Sequence, residues 1–317
     1  MVYILFVVGF VFLVYGANFL VDGASSLARK YNISNIVIGL TIVALGTSSP
    51  ELVVNLIASF KGSEDVALGN ILGSNVSNIL LILGVSALIF PLTVNDNTKW
   101  KEVPLSILAA VVLAVVANDA IIDGKAFSPT VTRSDGIILV AFFLLFMHYA
   151  FSIAHDKNAM EMKIKVFGKW RSWLMILGGI TGLVLGGKWI VDGAVVIAGN
   201  MGMSEALISL TIIAIGTSLP ELATCVVAAM KRNPDIVIGN IIGSNIFNVF
   251  FVLGTSAIIK PLPFNITLNF DVYTGILACV LLFVFLFFPR KKVLERWQGG
   301  VLLMLYVVYI GILVYKG

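Results

Sequence analysis

Apolar runs of about twenty residues, cut by polar or Gly/Pro-containing stretches, recur ten times along the chain, near 2–25, 35–60, 66–90, 102–122, 135–155, 171–198, 206–230, 236–260, 270–289 and 297–315. Each is long enough to cross a bilayer as a helix. The first run is longer than a signal-peptide core and lacks a small-residue cleavage site, so it reads as a span. Superposed on this pattern is a second one. A constant shift of 170 residues aligns Gly16–Pro91 with Gly186–Pro261 without a gap, and 34 of the 76 positions are identical. That density of identity marks a duplication.

Ten spans divided into two copies give five per copy, an odd number, so the second copy must enter the membrane from the opposite side. The expected fold is therefore an all-α polytopic membrane protein of two inverted five-helix repeats, residues 1–155 and 171–317, joined by a short linker at 156–170. Basic residues test the orientation. Fifteen Lys and Arg fall in loops on the side of that linker and five on the other. This places the linker in the cytoplasm and both termini outside a cell (inner) membrane.

Composition agrees with the spans. The chain is 59% hydrophobic and 12% charged, with a mean hydropathy of +1.03, more apolar surface than a soluble domain of 317 residues could cover. The net charge of +4 is spread over short loops, so it reports topology rather than nucleic-acid binding. Both cysteines, Cys225 and Cys279, lie inside predicted spans, which excludes a disulfide framework. Lys188 and Asp192, four residues apart, are expected to pair. The glycines of spans one and six suit either tight packing or a smooth face along which the two helices slide.

Against this background the duplicated stretches Gly46-Thr47-Ser48-Ser49-Pro50-Glu51-Leu52 and Gly216-Thr217-Ser218-Leu219-Pro220-Glu221-Leu222 stand out. Each sets a carboxylate, hydroxyls and a helix-breaking proline in the middle of a span, where an ionisable group is costly and marks function. Proline removes one backbone bond and frees the carbonyl four residues earlier, that of Gly46 or Gly216. Thr47 lies four residues before Glu51, on the same helix side. Carboxylate, hydroxyl and bare carbonyl are the ligands of a hard cation such as Na⁺ or Ca²⁺. The following span of each copy carries Asn70, Ser74 and Asn78, or Asn240, Ser244 and Asn248, at i, i+4 and i+8. Ser74, Asn78, Ser244 and Asn248 are read as facing the glutamates, whereas Asn70, Asn75, Asn240 and Asn245 are read as hydrogen-bonding glue between helices.

With both motifs in view, the chain resembles the calcium/cation antiporter superfamily, and within it the prokaryotic sodium/calcium exchangers. The resemblance rests on the two alpha-repeat motifs, 39–84 and 209–254, and on length, span count and the short linker. It implies alternating access with clustered cation sites at mid-membrane, and no cofactor. Carried over by motif, Glu51 and Glu221 bind Ca²⁺ with the backbone carbonyls of Thr47 and Thr217. Flanking Na⁺ sites use Thr47, Ser48 and Ser244, and Thr217, Ser218 and Ser74, with the carbonyls of Ala44 and Ala214. Asn248 is Asp in potassium-dependent relatives, so the amide implies K⁺-independent, electrogenic exchange, by a protein functional as a monomer in the bilayer.

Three rivals remain distinguishable. A Ca²⁺/H⁺ antiporter could use the same glutamates, although a proton needs no hydroxyl cage. An intramembrane hydrolase built on Ser48 or Ser218 would need a base, and no histidine lies in a central span. A channel would pass Ca²⁺ without counter-transport.

Overall fold

The computed structural model describes residues 2–124, 129–154, 166–201, 214–288 and 292–316. Among the described residues, eight helices are long and apolar enough to cross a membrane: α1 (Val2–Tyr31), α4 (Glu64–Ile89), α5 (Thr98–Ala117), α6 (Arg133–Ser152), α7 (Lys169–Asn200), α10 (Pro234–Ile259), α11 (Ile266–Phe285) and α12 (Arg296–Lys316). Helices α2 (Asn35–Thr47) and α3 (Ser49–Lys61) meet at a 46° bend and together make a ninth. The single turn α8 (Ala214–Thr217) and α9 (Leu219–Met230) repeat that arrangement. The expected seventh span begins at 206, and its first residues, 206–213, lie outside the described residues. So do most of the linker, His155 and Lys125. The chain is thus a helical, polytopic membrane protein, with two small departures from helix. Strand β1 (Leu92–Thr93) pairs antiparallel with β4 (Val293–Leu294), and β2 (Thr130–Val131) with β3 (Leu262–Pro263).

Helix ends follow local chemistry. Thr132 begins α6 in a capping box: its hydroxyl accepts the Asp135 N–H at 3.3 Å, and the Asp135 carboxylate accepts the Thr132 N–H at 2.8 Å. Asn233 caps α10 by accepting the Ile236 N–H, with Pro234 at the first helical position, where its missing donor costs nothing.

Burial separates the centre from the periphery. Of the most apolar eighteen residues, 94% are buried in α10 and 72% in α4, against at most 39% in the other six long helices. These two central helices cross near their middles, where each begins a π-helical segment, Asn78–Leu83 and Asn248–Leu253, that packs against the preceding part of the other. Phe250 is fully buried there and stacks on Phe142 of α6 with ring centroids 5.3 Å apart, so this part of α10 faces a neighbouring helix rather than lipid. Helices α6 and α12 close over the ends of α10 and α4 through glycines, Gly136 against Gly254 and Gly299 against Gly84.

Helix α1 lies along α7 for much of its length. The contact is made backbone to backbone. A Cβ placed on Gly16 would fall 2.8 Å from the Leu183 nitrogen and 2.9 Å from the Gly179 carbonyl oxygen. Small residues allow this approach, and dispersion and weak polar contacts then hold two helices together where no hydrophobic effect acts. Asp22 on α1 also pairs with Lys231, just past α9, at 2.7 Å. The expected Lys188–Asp192 pair does not form: both side chains are exposed, and the ion pairs found between described residues lie elsewhere.

Candidate cation site

The site is built where the bent helices α2/α3 and α8/α9 meet α4 and α10. Thr47 is the last residue of α2, and Ser48 leaves helical geometry at φ −85°, ψ 8°. Ser218 does the same at φ −85°, ψ 3°. Each helix is interrupted next to its proline, in keeping with the helix-breaking character read from the sequence. Pro50 and Pro220 stand second in new helices, a position that tolerates the missing N–H. The Ser49 hydroxyl donates to the Leu45 carbonyl at 2.8 Å, a local bond that Leu219 in the other copy cannot make. Glu51 and Glu221 consequently sit in the first turns of α3 and α9. Positive helix ends point at the carboxylates, while the ends of α2 and α8 offer the carbonyls of Thr47 and Thr217.

Both glutamates are buried, at 1% exposure each, and lie within electrostatic reach of each other. None of the ion pairs Lys231–Asp22, Lys260–Glu64 and Lys292–Asp96 involves them. The Ser48 hydroxyl lies 2.8 Å from Glu221 Oε1 and 2.9 Å from Ser244 Oγ. One hydroxyl has one proton and a carboxylate only accepts, so Ser48 donates to Glu221 and takes the Ser244 proton. In the second copy the corresponding contact, Ser218 Oγ to Ser74 Oγ, is looser at 3.4 Å.

The threonines reach across as well. Thr47 donates to Asn240 Oδ1 at 3.0 Å and Thr217 to Asn70 Oδ1 at 3.2 Å. The Ala44 carbonyl already accepts the Ser48 N–H at 2.9 Å and approaches the Thr47 hydroxyl at 3.4 Å, so a cation contact there requires that hydroxyl to yield. Ala214 heads α8. Asn78 and Asn248 are each 1% exposed and begin the two π-helical segments.

Among the described residues, the buried oxygens without a hydrogen-bond partner include Oε2 of Glu51, Oε2 of Glu221, Oδ1 of Asn78 and Oδ1 of Asn248, and, one turn past the glutamates, Oδ1 of Asn55 and Oγ1 of Thr224. An unmade hydrogen bond at such depth costs about 1–3 kcal/mol each. Two acids and two amide oxygens, one of each per copy, form a set that a hard cation satisfies. Among the described residues there is no group of three or more His, Cys, Asp or Glu, so softer metals find no cage.

These residues coincide with a region matched by known proteins. Residues 1–152 and 171–315 match the sodium/calcium exchanger protein family. The chain belongs to the sodium/calcium exchanger family. Among relatives, it is 35% identical to inner membrane protein YrbG of Escherichia coli, over 98% of this chain and 95% of that one. It is 30% identical to sodium/calcium exchanger MaX1 of Methanosarcina acetivorans, over 99% and 98%. Its structure is similar to that of the sodium-calcium exchanger NCX_Mj soaked with Na⁺ and Ca²⁺, with a TM-score of 0.84, 30% identity and coverage of 98% and 97%.

Two features of this family member escaped the sequence pattern. The π-helical segments that begin at Asn78 and Asn248 have no signature in a 3.6-residue period. Asn75 and Asn245, read from the sequence as glue between helices, do bond α4 to α10, and what the pattern missed is that they also touch the site's amides directly. Their occurrence in both copies was the available signal.

Proposed function

We propose that the protein is a secondary antiporter that exchanges Na⁺ for Ca²⁺ across the cell membrane. The observation that carries this reading is the occurrence, among the described residues, of unpartnered buried carboxylate and amide oxygens on Glu51, Glu221, Asn78 and Asn248, with no ion pair formed by either glutamate. Glu51 and Glu221 bind Ca²⁺. The hydroxyls of Thr47, Ser48, Ser244, Thr217, Ser218 and Ser74, with the carbonyls of Ala44 and Ala214, hold Na⁺ beside it. Asn78 and Asn248 turn their oxygens to the cation.

Physics then makes exchange obligatory. Two buried carboxylates repel each other and are poorly solvated, so the empty carrier cannot reorient cheaply. A bound Ca²⁺, or several Na⁺, removes that cost. Ten spans in two inverted halves supply two near-equivalent packings between which the carrier alternates, with α1 and α7 sliding on their glycine face. Both termini lie outside and the linker inside. Two site charges neutralise one Ca²⁺, whereas any load of more than two Na⁺ leaves net positive charge, so transport is electrogenic, and with no third acid at Asn248 it is independent of K⁺.

The test is ⁴⁵Ca²⁺ uptake into proteoliposomes with the Na⁺, H⁺ and K⁺ gradients imposed one at a time. Uptake driven by Na⁺ at fixed pH supports the reading. Uptake driven only by H⁺ would replace it with Ca²⁺/H⁺ antiport, and uptake without any counter-gradient would replace it with a channel.

A further inference from the structure

The amides of Asn78 and Asn248 can serve a cation only with their oxygens turned toward it, since the NH₂ group of the same side chain would repel a positive charge. The structure contains a device that fixes this orientation. Asn75 Nδ2 donates to the Asn245 backbone carbonyl at 3.4 Å, and Asn245 Nδ2 donates to the Asn75 backbone carbonyl at 3.4 Å. A carbonyl only accepts, so each of these side chains must point its nitrogen at the other's backbone. Their oxygens are thereby aimed the opposite way. Asn245 Oδ1 accepts from Asn78 Nδ2 at 2.9 Å, and Asn75 Oδ1 accepts from Asn248 Nδ2 at 3.1 Å. Each site amide has its nitrogen consumed, and the oxygen left over is the one without a partner.

We infer that Asn75 and Asn245 form a reciprocal amide clasp between α4 and α10 that sets the cation-facing orientation of Asn248 and Asn78, and so acts as a positioning element for ion affinity. The order of information is one-way. Two backbone carbonyls, which cannot flip, orient the clasp, and the clasp orients the ligands. Each clasp residue orients a site amide of the opposite helix: Asn75 of α4 orients Asn248 of α10, and Asn245 of α10 orients Asn78 of α4. Both halves of the site are therefore set only when α4 and α10 are in register. Helix gluing alone would require neither the particular direction of these four bonds nor the two unpartnered oxygens at their ends.

This inference rests on the cation site proposed above, and the experiment separates the two. Na⁺-driven ⁴⁵Ca²⁺ uptake is measured for the wild type, Asn75→Leu, Asn75→Asp, Asn248→Asp and the double variant Asn75→Leu/Asn248→Asp, all with K⁺ on both sides and at one pH. Asn75→Leu releases the Asn248 amide to turn its NH₂ inward, and the KM for Ca²⁺ should rise about tenfold with Vmax little changed, as expected for one ligand lost and one donor misplaced. Asn75→Asp keeps an oxygen that accepts from Asn248 but gives up the donor to the Asn245 carbonyl, so its KM should rise less than that of Asn75→Leu. On the Asn248→Asp background no amide remains to be turned, so Asn75→Leu should leave the KM as it finds it. An unchanged KM in Asn75→Leu, or an equal rise on both backgrounds, would overturn the clasp and leave a helix-packing role. Should Asn75→Leu not be recovered folded, Asn75→Ser, too short to reach Asn248, carries the same comparison. A wild type that carries no Ca²⁺ would instead overturn the function.

Discussion

Two adjacent glycines on α7 offer a controlled test of the helix pair that is proposed to slide. A Cβ on Gly179 would lie 2.6 Å from the Leu20 nitrogen, 2.8 Å from the Gly16 carbonyl oxygen and 2.9 Å from the Leu20 Cβ, whereas a Cβ on Gly178 would meet nothing within 4 Å. Gly→Ala raises helix propensity by about 1 kcal/mol at either position. For Gly178→Ala that gain is unopposed. For Gly179→Ala the obstructing atoms are mainly backbone, and α1 must move away by about 0.8 Å to bring the shortest contact out to 3.4 Å. Overpacking of this kind costs roughly 1–3 kcal/mol, and the displaced helix no longer matches the groove along its remaining glycines. Gly178→Ala should therefore melt at or above the wild-type temperature in detergent and exchange normally. Gly179→Ala should melt lower and lose most of its Na⁺-driven ⁴⁵Ca²⁺ flux, with Ca²⁺ affinity, read by calorimetry, less affected because the ligands lie on other helices. Equal melting and equal flux in the two variants would refute the close backbone contact and the role assigned to it.

Glu51→Gln and Glu221→Gln should each abolish exchange while leaving the melting temperature unreduced, because a neutral amide is easier to bury than a carboxylate; flux near the wild-type level in either variant would remove that residue from the site. Single cysteines placed at Lys125 and Lys165 on a cysteine-free background should be labelled from opposite faces of intact cells, and labelling from one face would break the inverted arrangement. Wild-type exchange should run equally well without K⁺ and respond to an imposed membrane potential by up to about 2.3 kcal/mol per elementary charge per 100 mV. Asn248→Asp adds a third acid that must recruit a further cation or a proton, so its flux should depend on K⁺ or pH; indifference to both would contradict the charge assigned to the site.

The glutamates and the helix break were legible because chemistry and position conflict there: an acid and a proline in a span have no structural excuse. The 170-residue shift made the second copy legible from the first. What the sequence did not reveal depended on contacts between distant segments. The orientation of Asn248 is decided by Asn75, 173 residues away, and no local pattern encodes it. The π-helical segments add a residue to one turn without changing composition, so a reading at fixed period passes over them. The break falls at Ser48, and at Ser218 in the other copy where Leu219 has no hydroxyl to offer, because in both copies a new helix begins with proline in its first turn. Lys188 and Asp192 showed the reverse failure, a favourable local spacing with nothing around it to hold the pair.

The pairing of α1 with α7 also bears on how the protein is made. Lys169 follows Tyr31 by 138 residues, so at ordinary rates of synthesis the first helix waits on the order of ten seconds before its partner is translated. During that interval its bare glycine face is turned to lipid. Its mean hydropathy of 2.5 is the highest of the eight long spans, against 1.8 for α7. That surplus lets α1 remain in the bilayer alone, while α7 enters a membrane in which its groove is already waiting. Biogenesis thus asks more hydrophobicity of the earlier helix than the finished pair requires.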